Sequence, residues 1–301
     1  MKAAVTGELT KDWRAANPDT ETGHHLLARI AQDRATKAPA KGRGRRNAEA
    51  PPFDAATLPE LPEGWAWETL DKLSWASSYG TSVKCAQDAA GVAVLRIPNI
   101  REGEIVYGDL KFATTELGLE PSDFVTPGDL LVIRTNGSET IIGRGGVCYQ
   151  KSDQPTYFAS YLIRFRLLGG ELMWRWVSKF FESPPVRQWM MRHIASSAGQ
   201  YNVSQSNLAS LVVPVPPASE MAEILRRVSD ALAAAADTLV IFDAEAADVA
   251  RLKQSILKAA FEGRLELQDP ADEPASALLG RLAANPSAVR VSRGRARKSH
   301  A

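Results

Sequence analysis

Between Pro217 and Gly263 the chain has neither glycine nor proline, and its apolar residues recur at alternating steps of three and four. The series runs Leu225, Val228, Leu232, Ala235, Leu239, Phe242, Ala246 and Val249, then resumes after one three-residue slip at Leu252, Ile256 and Ala259. A step averaging about 3.5 residues is the period of a coiled-coil seam, narrower than the stripe a helix lays on a globular core. Ser219, followed by Glu220 and Glu223, reads as an N-cap with acids set against the positive end of the helix dipole. A helix from Ser219 to Glu262 would be roughly 65 Å long at about 1.5 Å per residue. It would overhang a domain of about 150 residues, whose radius of gyration is about 15 Å. An amphipathic helix laid along the domain is the alternative. The seam needs a second helix, and one full copy is present.

Upstream, the punctuation is that of a folded domain with short strands. Residues 34–63, rich in Ala, Pro, Gly and Arg, read as a linker, and the domain begins at Leu61-Pro62-Glu63-Gly64-Trp65. Strand-like runs are expected at Val92–Ile97, Ile105–Tyr107, Leu130–Arg134, Thr140–Ile142 and Tyr157–Phe165. Asn136-Gly137 between two of these runs signals a two-residue hairpin turn. Met173, Val177, Phe180 and Phe181, then Val186, Met190 and Ile194, predict two helices divided at Pro184-Pro185. Residues 212–217, Val-Val-Pro-Val-Pro-Pro, read as a stiff extended connector into the long helix. The tryptophans at 65, 67, 75, 174, 176 and 189 are expected in core and edge packing rather than base stacking.

A repeat links the two ends. Lys2-Ala3-Ala4-Val5-Thr6-Gly7-Glu8-Leu9 matches Lys258-Ala259-Ala260-Phe261-Glu262-Gly263-Arg264-Leu265, and Leu26-Leu27-Ala28-Arg29-Ile30-Ala31 matches Leu278-Leu279-Gly280-Arg281-Leu282-Ala283. In the second copy the motif closes the long helix, with Gly263 as its C-cap. Met1 stands where Leu257 stands in that copy, so the chain is expected to open on a helix end whose body is missing.

The formal net charge of +1 argues at first against a nucleic-acid partner. Counted by region it does not. Residues 34–48 carry six basic side chains and no acid, residues 274–301 the same, and residues 131–213 carry nine basic against four acidic. Residues 214–273 carry six basic against twelve acidic. The basic ends suit either solvated tails or DNA arms. No apolar run approaches the roughly 18–20 residues of a membrane span, and the start lacks the pattern of a secretory signal. Two cysteines, Cys85 and Cys148, make no disulfide framework, so a reducing, cytoplasmic setting is expected.

Motifs of catalysis are missing from the sequence. It has no G-x-x-x-x-G-K-[ST] phosphate loop, no Asp/Asn-Pro-Pro-aromatic tetrad of amino-group methylation and no Glu-x-Lys of the common nucleases. His24, His25, His193 and His300 lack metal-ligand spacing with the cysteines. His24-His25 reads as a helix-surface pair, and His193 as packing or a phosphate contact. The chain reads as a binder, with no metal site and no cofactor of its own.

Several segments together resemble the specificity subunit of type I restriction–modification enzymes. They are Leu61-Pro62-Glu63-Gly64-Trp65, Tyr79-Gly80-Thr81-Ser82-Val83-Lys84-Cys85, Leu95-Arg96-Ile97-Pro98-Asn99-Ile100, Gly128-Asp129-Leu130-Leu131, Arg134-Thr135-Asn136-Gly137-Ser138, Ala198-Gly199-Gln200-Tyr201-Asn202-Val203-Ser204 and Asp272-Glu273-Pro274-Ala275-Ser276-Ala277-Leu278-Leu279. The resemblance covers roughly residues 1–31 and 60–285. It implies an α+β chain: one mixed α/β target-recognition domain at 64–213 plus a long C-terminal coiled-coil helix in a conserved region at 214–285. Residues 1–33 would be the remnant of a central conserved region, and 286–301 a disordered basic tail. Compared with the family pattern, the first recognition domain and first long helix are missing, and Glu220-Met221 stands where Glu-Gln is common.

The same resemblance implies partners. These are double-stranded DNA, modification (methyltransferase) subunits, a restriction (translocase and nuclease) subunit, and a second copy or second half-subunit through the seam. S-adenosylmethionine, ATP and Mg would be used by the partner subunits, leaving this chain non-catalytic. Lys84, Arg134, Asn136, Ser138, Gln200, Tyr201 and Asn202 are the candidates for DNA contact, because Arg pairs bidentately with guanine and Asn or Gln with adenine. The stretch 134–138 equally suits a turn with a surface arginine, and Tyr201-Asn202 a core tyrosine with a local cap. The seam candidates are Leu225, Val228, Leu232, Leu239, Phe242, Val249, Leu252 and Ile256. A coiled-coil scaffold that binds no DNA, or an inactive fragment of a split gene, are the competing readings.

Overall fold

The computed structural model describes residues 1–18, 21–37, 50–197, 199–266, 269 and 271–284. The basic residues Lys41, Arg43, Arg45 and Arg46 of the expected linker, and the expected tail at 286–301, lie outside the described residues. The chain forms two compact units, Met1–Ala233 and Ala234–Ala301.

The first unit opens with helices α1 (Lys2–Val5), α2 (Lys11–Ala16) and α3 (Gly23–Thr36). Strands β1 (Ala66–Thr69), β2 (Ser74–Tyr79), β3 (Cys85–Ala86), β4 (Ala93–Leu95), β5 (Ile100–Arg101), β6 (Glu104–Ile105) and β7 (Lys111–Ala113) follow. Next come β8 (Asp129–Ile133), β9 (Thr135–Asn136), β10 (Gly145–Val147), β11 (Thr156–Phe158) and β12 (Leu162–Leu167). Helices α4 (Gly170–Phe181) and α5 (Pro184–His193) precede β13 (Ala195–Ser197), β14 (Gln200–Asn202), α6 (Gln205–Ala209) and β15 (Val212–Val215). The long helix α7 (Ala218–Phe261) begins in this unit and continues into the second, which also holds α8 (Ala275–Ala284).

A six-stranded sheet in the order β2-β12-β8-β10-β6-β5 is the spine, with a four-stranded sheet β11-β4-β7-β3, a three-stranded sheet β13-β14-β9 and the pair β1-β15. Strand β8 reads Asp-Leu-Leu-Val-Ile without alternation, and all five residues are buried, as a central strand covered on both faces requires. Its neighbour β12 carries Arg164 and Arg166, both buried, whose guanidiniums stand 3.6 and 3.5 Å from the Asp129 carboxylate. They donate to the carbonyls of Asp123 (2.6 Å) and Ser122 (2.6 Å) and lie over the rings of Phe158 and Trp75. Burial pushes the Asp129 carboxyl up and the two guanidiniums pull it down. Two of the nine basic residues counted in 131–213 are therefore core clamps, and that region's surface is less basic than its composition. Trp65 meets Trp176 edge to face, centroids 5.9 Å apart, and the Trp176 indole N–H donates to the Pro214 carbonyl at 2.7 Å.

Four local expectations are corrected. The Asn136-Gly137 turn does not join 130–135 to 138–142: β9 leaves β8 and pairs with β14, and the next strand to pair with β8 is β10, with Gly145 opposite Val132. Thr140–Ile142 is therefore a turn region, with Ile142 fully buried. The run Tyr157–Phe165 breaks at 159–161, because β11 adds to β4 while β12 adds to β8 and β2. Residues 212–215 are no free connector but β15, paired antiparallel with β1. Finally, α7 starts at Ala218, so Ser219 lies inside it, and Glu220 is buried rather than facing water. Its carboxylate accepts from Thr10 Oγ1 (2.7 Å), Arg14 Nη2 (2.8 Å) and Trp65 Nε1 (2.8 Å).

The repeat has a structural counterpart. Gly7 and Gly263 both follow a helix end in the left-handed conformation, φ 75° and 65°, where a side chain would strain the backbone. α3 and α8 start at matching positions, Gly23 and Ala275, and matching ion pairs join Arg29 to Glu21 and Arg281 to Glu273. Ala4, Val5, Leu26 and Ile30 are buried in the first copy; Phe261, Leu278 and Leu282 of the second are exposed. His25 belongs to the α3 cap, its ring accepting from the Thr22 N–H.

Candidate nucleic-acid interface

Six of the seven residues expected to contact DNA come together in space. Strand β9 supplies Asn136, with Arg134 just before it and Ser138 just after, and pairs antiparallel with β14, which supplies Gln200, Tyr201 and Asn202. Tyr201 lies opposite Asn136 and Asn202 opposite Thr135. The Thr135 hydroxyl donates to Asn202 Oδ1 at 2.6 Å, and the Val203 N–H donates to the Arg134 carbonyl at 2.9 Å, so the pairing is closed at both residues. Gln200 is exposed; Arg134, Asn136, Ser138, Tyr201 and Asn202 are half-buried. Tyr201 is thus neither a core residue nor a free one.

The tip is ordered by its own polar groups. The Ser138 N–H donates to Asn136 Oδ1 at 2.8 Å, an Asx turn, and the hydroxyls of Ser138 and Thr140 lie 2.9 Å apart. From the other side, Arg187 of α5 donates to the carbonyls of Ile142 and Glu139, both at 2.7 Å. Gly143 has φ +77°, and a Cβ there would sit 2.5 Å from Met190 Sδ, so the loop passes flush over α5.

Arg134 is the most constrained member. Its guanidinium lies over the Tyr79 ring, 4.9 Å from the centroid, and Nη1 makes only a long bond, 3.4 Å, to the Ser160 carbonyl. Nε is buried without a partner among the described residues. A guanidinium held flat with donors to spare suits a bidentate acceptor such as a phosphate or a guanine edge. Tyr79 can reach this place because Gly80 lets the chain run against the β11 end: a Cβ on Gly80 would stand 2.2 Å from the Phe158 carbonyl. Composition could not mark Tyr79 and Thr135 as parts of the site; the Tyr-Gly dipeptide is the one local hint.

Lys84 is placed elsewhere. It is exposed beside β3 in the four-stranded sheet, where its carbonyl accepts from the N–H and the hydroxyl of Thr114. His193 stacks on Trp189, ring centroids 3.9 Å apart, with Nδ1 2.8 Å from the Trp189 carbonyl, a packing role. Burial pushes the Cys148 thiol up to about 11, and it lies 3.1 Å from the Tyr107 hydroxyl. Burial also raises the Cys85 thiol. Among the described residues no group of three or more His, Cys, Asp or Glu could hold a metal ion.

On the long helix, Met221, Ile224 and Val228 are buried and Leu225 is half-buried, covered within the first unit. From Leu232 onward the seam is open: Leu239 is 63 % exposed, Phe242 61 % and Val249 66 %, with Leu232, Leu252 and Ile256 exposed as well. No helix among the described residues is long and apolar enough to cross a membrane.

The described residues thus combine a mixed α/β domain bearing a polar sheet face with a long helix that leaves an apolar stripe exposed. The chain is 36 % identical over 196 residues to the type I restriction enzyme EcoKI specificity subunit of Escherichia coli (strain K12), across 65 % of this chain and 42 % of that protein. It is 30 % identical over 212 residues to the StySPI specificity subunit of Salmonella potsdam, across 70 % of this chain and 45 % of that protein. Its fold matches a chain from a solved structure of a type I restriction–modification system with a TM-score of 0.52 at 17 % identity, over 86 % of this chain and 56 % of that one. No family model matches. The chain is similar to specificity subunits of type I restriction enzymes, and it spans about half the length of the curated relatives it matches.

Proposed function

We propose that this chain is a DNA-binding specificity subunit that reads one half of a bipartite target through the β9–β14 face. One observation carries the reading: two segments far apart in sequence, 134–138 and 200–202, are brought into register on one sheet. Arg134, Asn136, Ser138, Gln200, Tyr201 and Asn202 supply groove contacts, and Lys84 supplies a phosphate contact from the neighbouring sheet. The stripe from Leu232 to Ile256 pairs with the corresponding helix of a second copy or second half-subunit, as its exposure supports. Modification and restriction subunits dock on that framework and supply S-adenosylmethionine-, ATP- and Mg-dependent chemistry, so this cytoplasmic chain needs no catalytic group or cofactor.

Co-expression with a modification subunit, followed by mapping of methylated adenines, tests the reading. A defined methylated motif is expected, and gel shifts should weaken steeply with salt, with a slope near −0.9 per neutralised phosphate. An unmethylated genome together with salt-insensitive or absent DNA binding would leave the scaffold reading instead.

A further inference from the structure

We infer that Arg187, on α5, is a positioning residue for base reading: it holds the 138–143 loop and thereby sets Asn136 and Ser138 against β14 without touching DNA itself. This rests on the proposed function above and deepens it. The guanidinium is half-buried, and both of its terminal nitrogens donate to backbone, Nη1 to the Ile142 carbonyl and Nη2 to the Glu139 carbonyl, each at 2.7 Å, with Nη2 also 3.3 Å from the Met191 sulfur. Those two carbonyls bracket the turn that carries the chain from β9 back to β10. A planar fork donating to two points fixes the loop's tilt as well as its distance, which a single ammonium does not.

The rest of the setting agrees. Val186 and Met190, on the same helix, are buried, and the side chain of Ile142, whose carbonyl is one of the two bonded, is fully buried, so the loop is seated as well as tied. At its far end α5 runs into β13, the outer strand of the β13-β14-β9 sheet. One rigid helix therefore braces the face from both sides, the loop through Arg187 and the β13–β14 hairpin through direct chain continuity. Arg144 is exposed nearby and donates Nε to the Thr140 carbonyl, so it is the loop's own arginine that faces solvent.

The test compares Arg187→Met and Arg187→Lys with the unsubstituted chain, each full length and in complex with the modification subunit. The probes are a duplex carrying the motif mapped by methylation and the same duplex with that motif scrambled. A positioning role predicts that Arg187→Met lowers preference for the motif by about ten-fold, the scale of one lost base contact. Affinity for the scrambled duplex and its salt slope should stay unchanged, because no phosphate contact is removed. Arg187→Lys, which reaches one carbonyl, should fall between and keeps the test open if the methionine variant does not fold. A salt slope shallower by about 0.9 would make Arg187 a phosphate contact and overturn the inference, as would unchanged motif preference in both variants. If the unsubstituted complex shows no motif preference at all, the functional reading itself fails.

Discussion

Replacing Glu220 by glutamine should weaken the first unit more than any exposed carboxylate would. The side chain is fully buried and shared between three segments: Thr10 and Arg14 from the chain start, Trp65 at the head of the recognition domain, and α7. Glutamine keeps the volume and one acceptor oxygen but turns its NH2 toward donors. Either the Trp65 N–H or the Thr10–Arg14 pair then loses its acceptor, and the Arg14 charge loses its counter-ion. A hydrogen bond involving a charged group contributes about 1.5–3 kcal/mol, and breaking a buried pair costs about 3–5 kcal/mol. Arg14 is partly exposed and can rehydrate, which places the expected loss near the lower end, about 3 kcal/mol. For a unit of this size that is roughly 6–12 °C in Tm, read by tryptophan fluorescence at pH 7. Arg14→Met should cost at least as much, because it leaves the fully buried Glu220 carboxylate without its counter-ion, and the double variant less than the sum, since the two residues share one interaction. A drop of under about 2 °C for Glu220→Gln would refute the idea that this carboxylate ties the chain start to the helix.

Three further outcomes follow from the geometry. Phe242→Asp should abolish self-association in sedimentation with little change in Tm, whereas Val228→Ala should lower Tm by about 2–4 °C with association intact, because Val228 is covered within its own unit. Arg134→Ala should weaken binding to the mapped motif by about 1–3 kcal/mol and relax one base position, measured by competition with singly substituted duplexes. The Arg227 side chain holds Asp12 at about 2, against 3.8 ordinarily, and Arg226 and Arg227 hold Glu223 at about 2, against 4.5. Depressed carboxylates stabilise the fold above their unfolded values, and that contribution disappears as pH falls from about 4.5 to 2. Asp12→Asn should therefore flatten the Tm–pH curve in that acid window; an unchanged curve would show that the Asp12–Arg227 pair is not coupled to folding.

Local chemistry made the long helix, the Pro184 helix break and the apolar strands β4 and β8 legible, because period and punctuation are properties of neighbours. It misled at Asn136-Gly137, where the residues suit a tight hairpin and yet β9 pairs with β14, whose partner choice depends on a distant strand. The same limit applies to residues 212–215, read as a connector until β1 offered them a hydrogen-bonding edge. The candidate DNA residues stand out in the sequence by type alone. That six of them share a face, while Lys84 stands on another sheet, was not written in their spacing.

Charge shows the division most clearly. The count of arginines in 131–213 is set by composition, but whether each is a surface charge depends on what the sheet stacks above it: Arg164 and Arg166 are spent inside, on Asp129 and on carbonyls, and Arg134 is left with donors unspent. Glu220 likewise looks like a helix-end acid and is an internal tie. Periodicity along one helix is enough to write an apolar seam from Leu225 to Ile256. Covering its first residues and leaving the others open takes the packing of remote segments, because burial is a property of what comes to lie alongside, and the chain's order does not contain that.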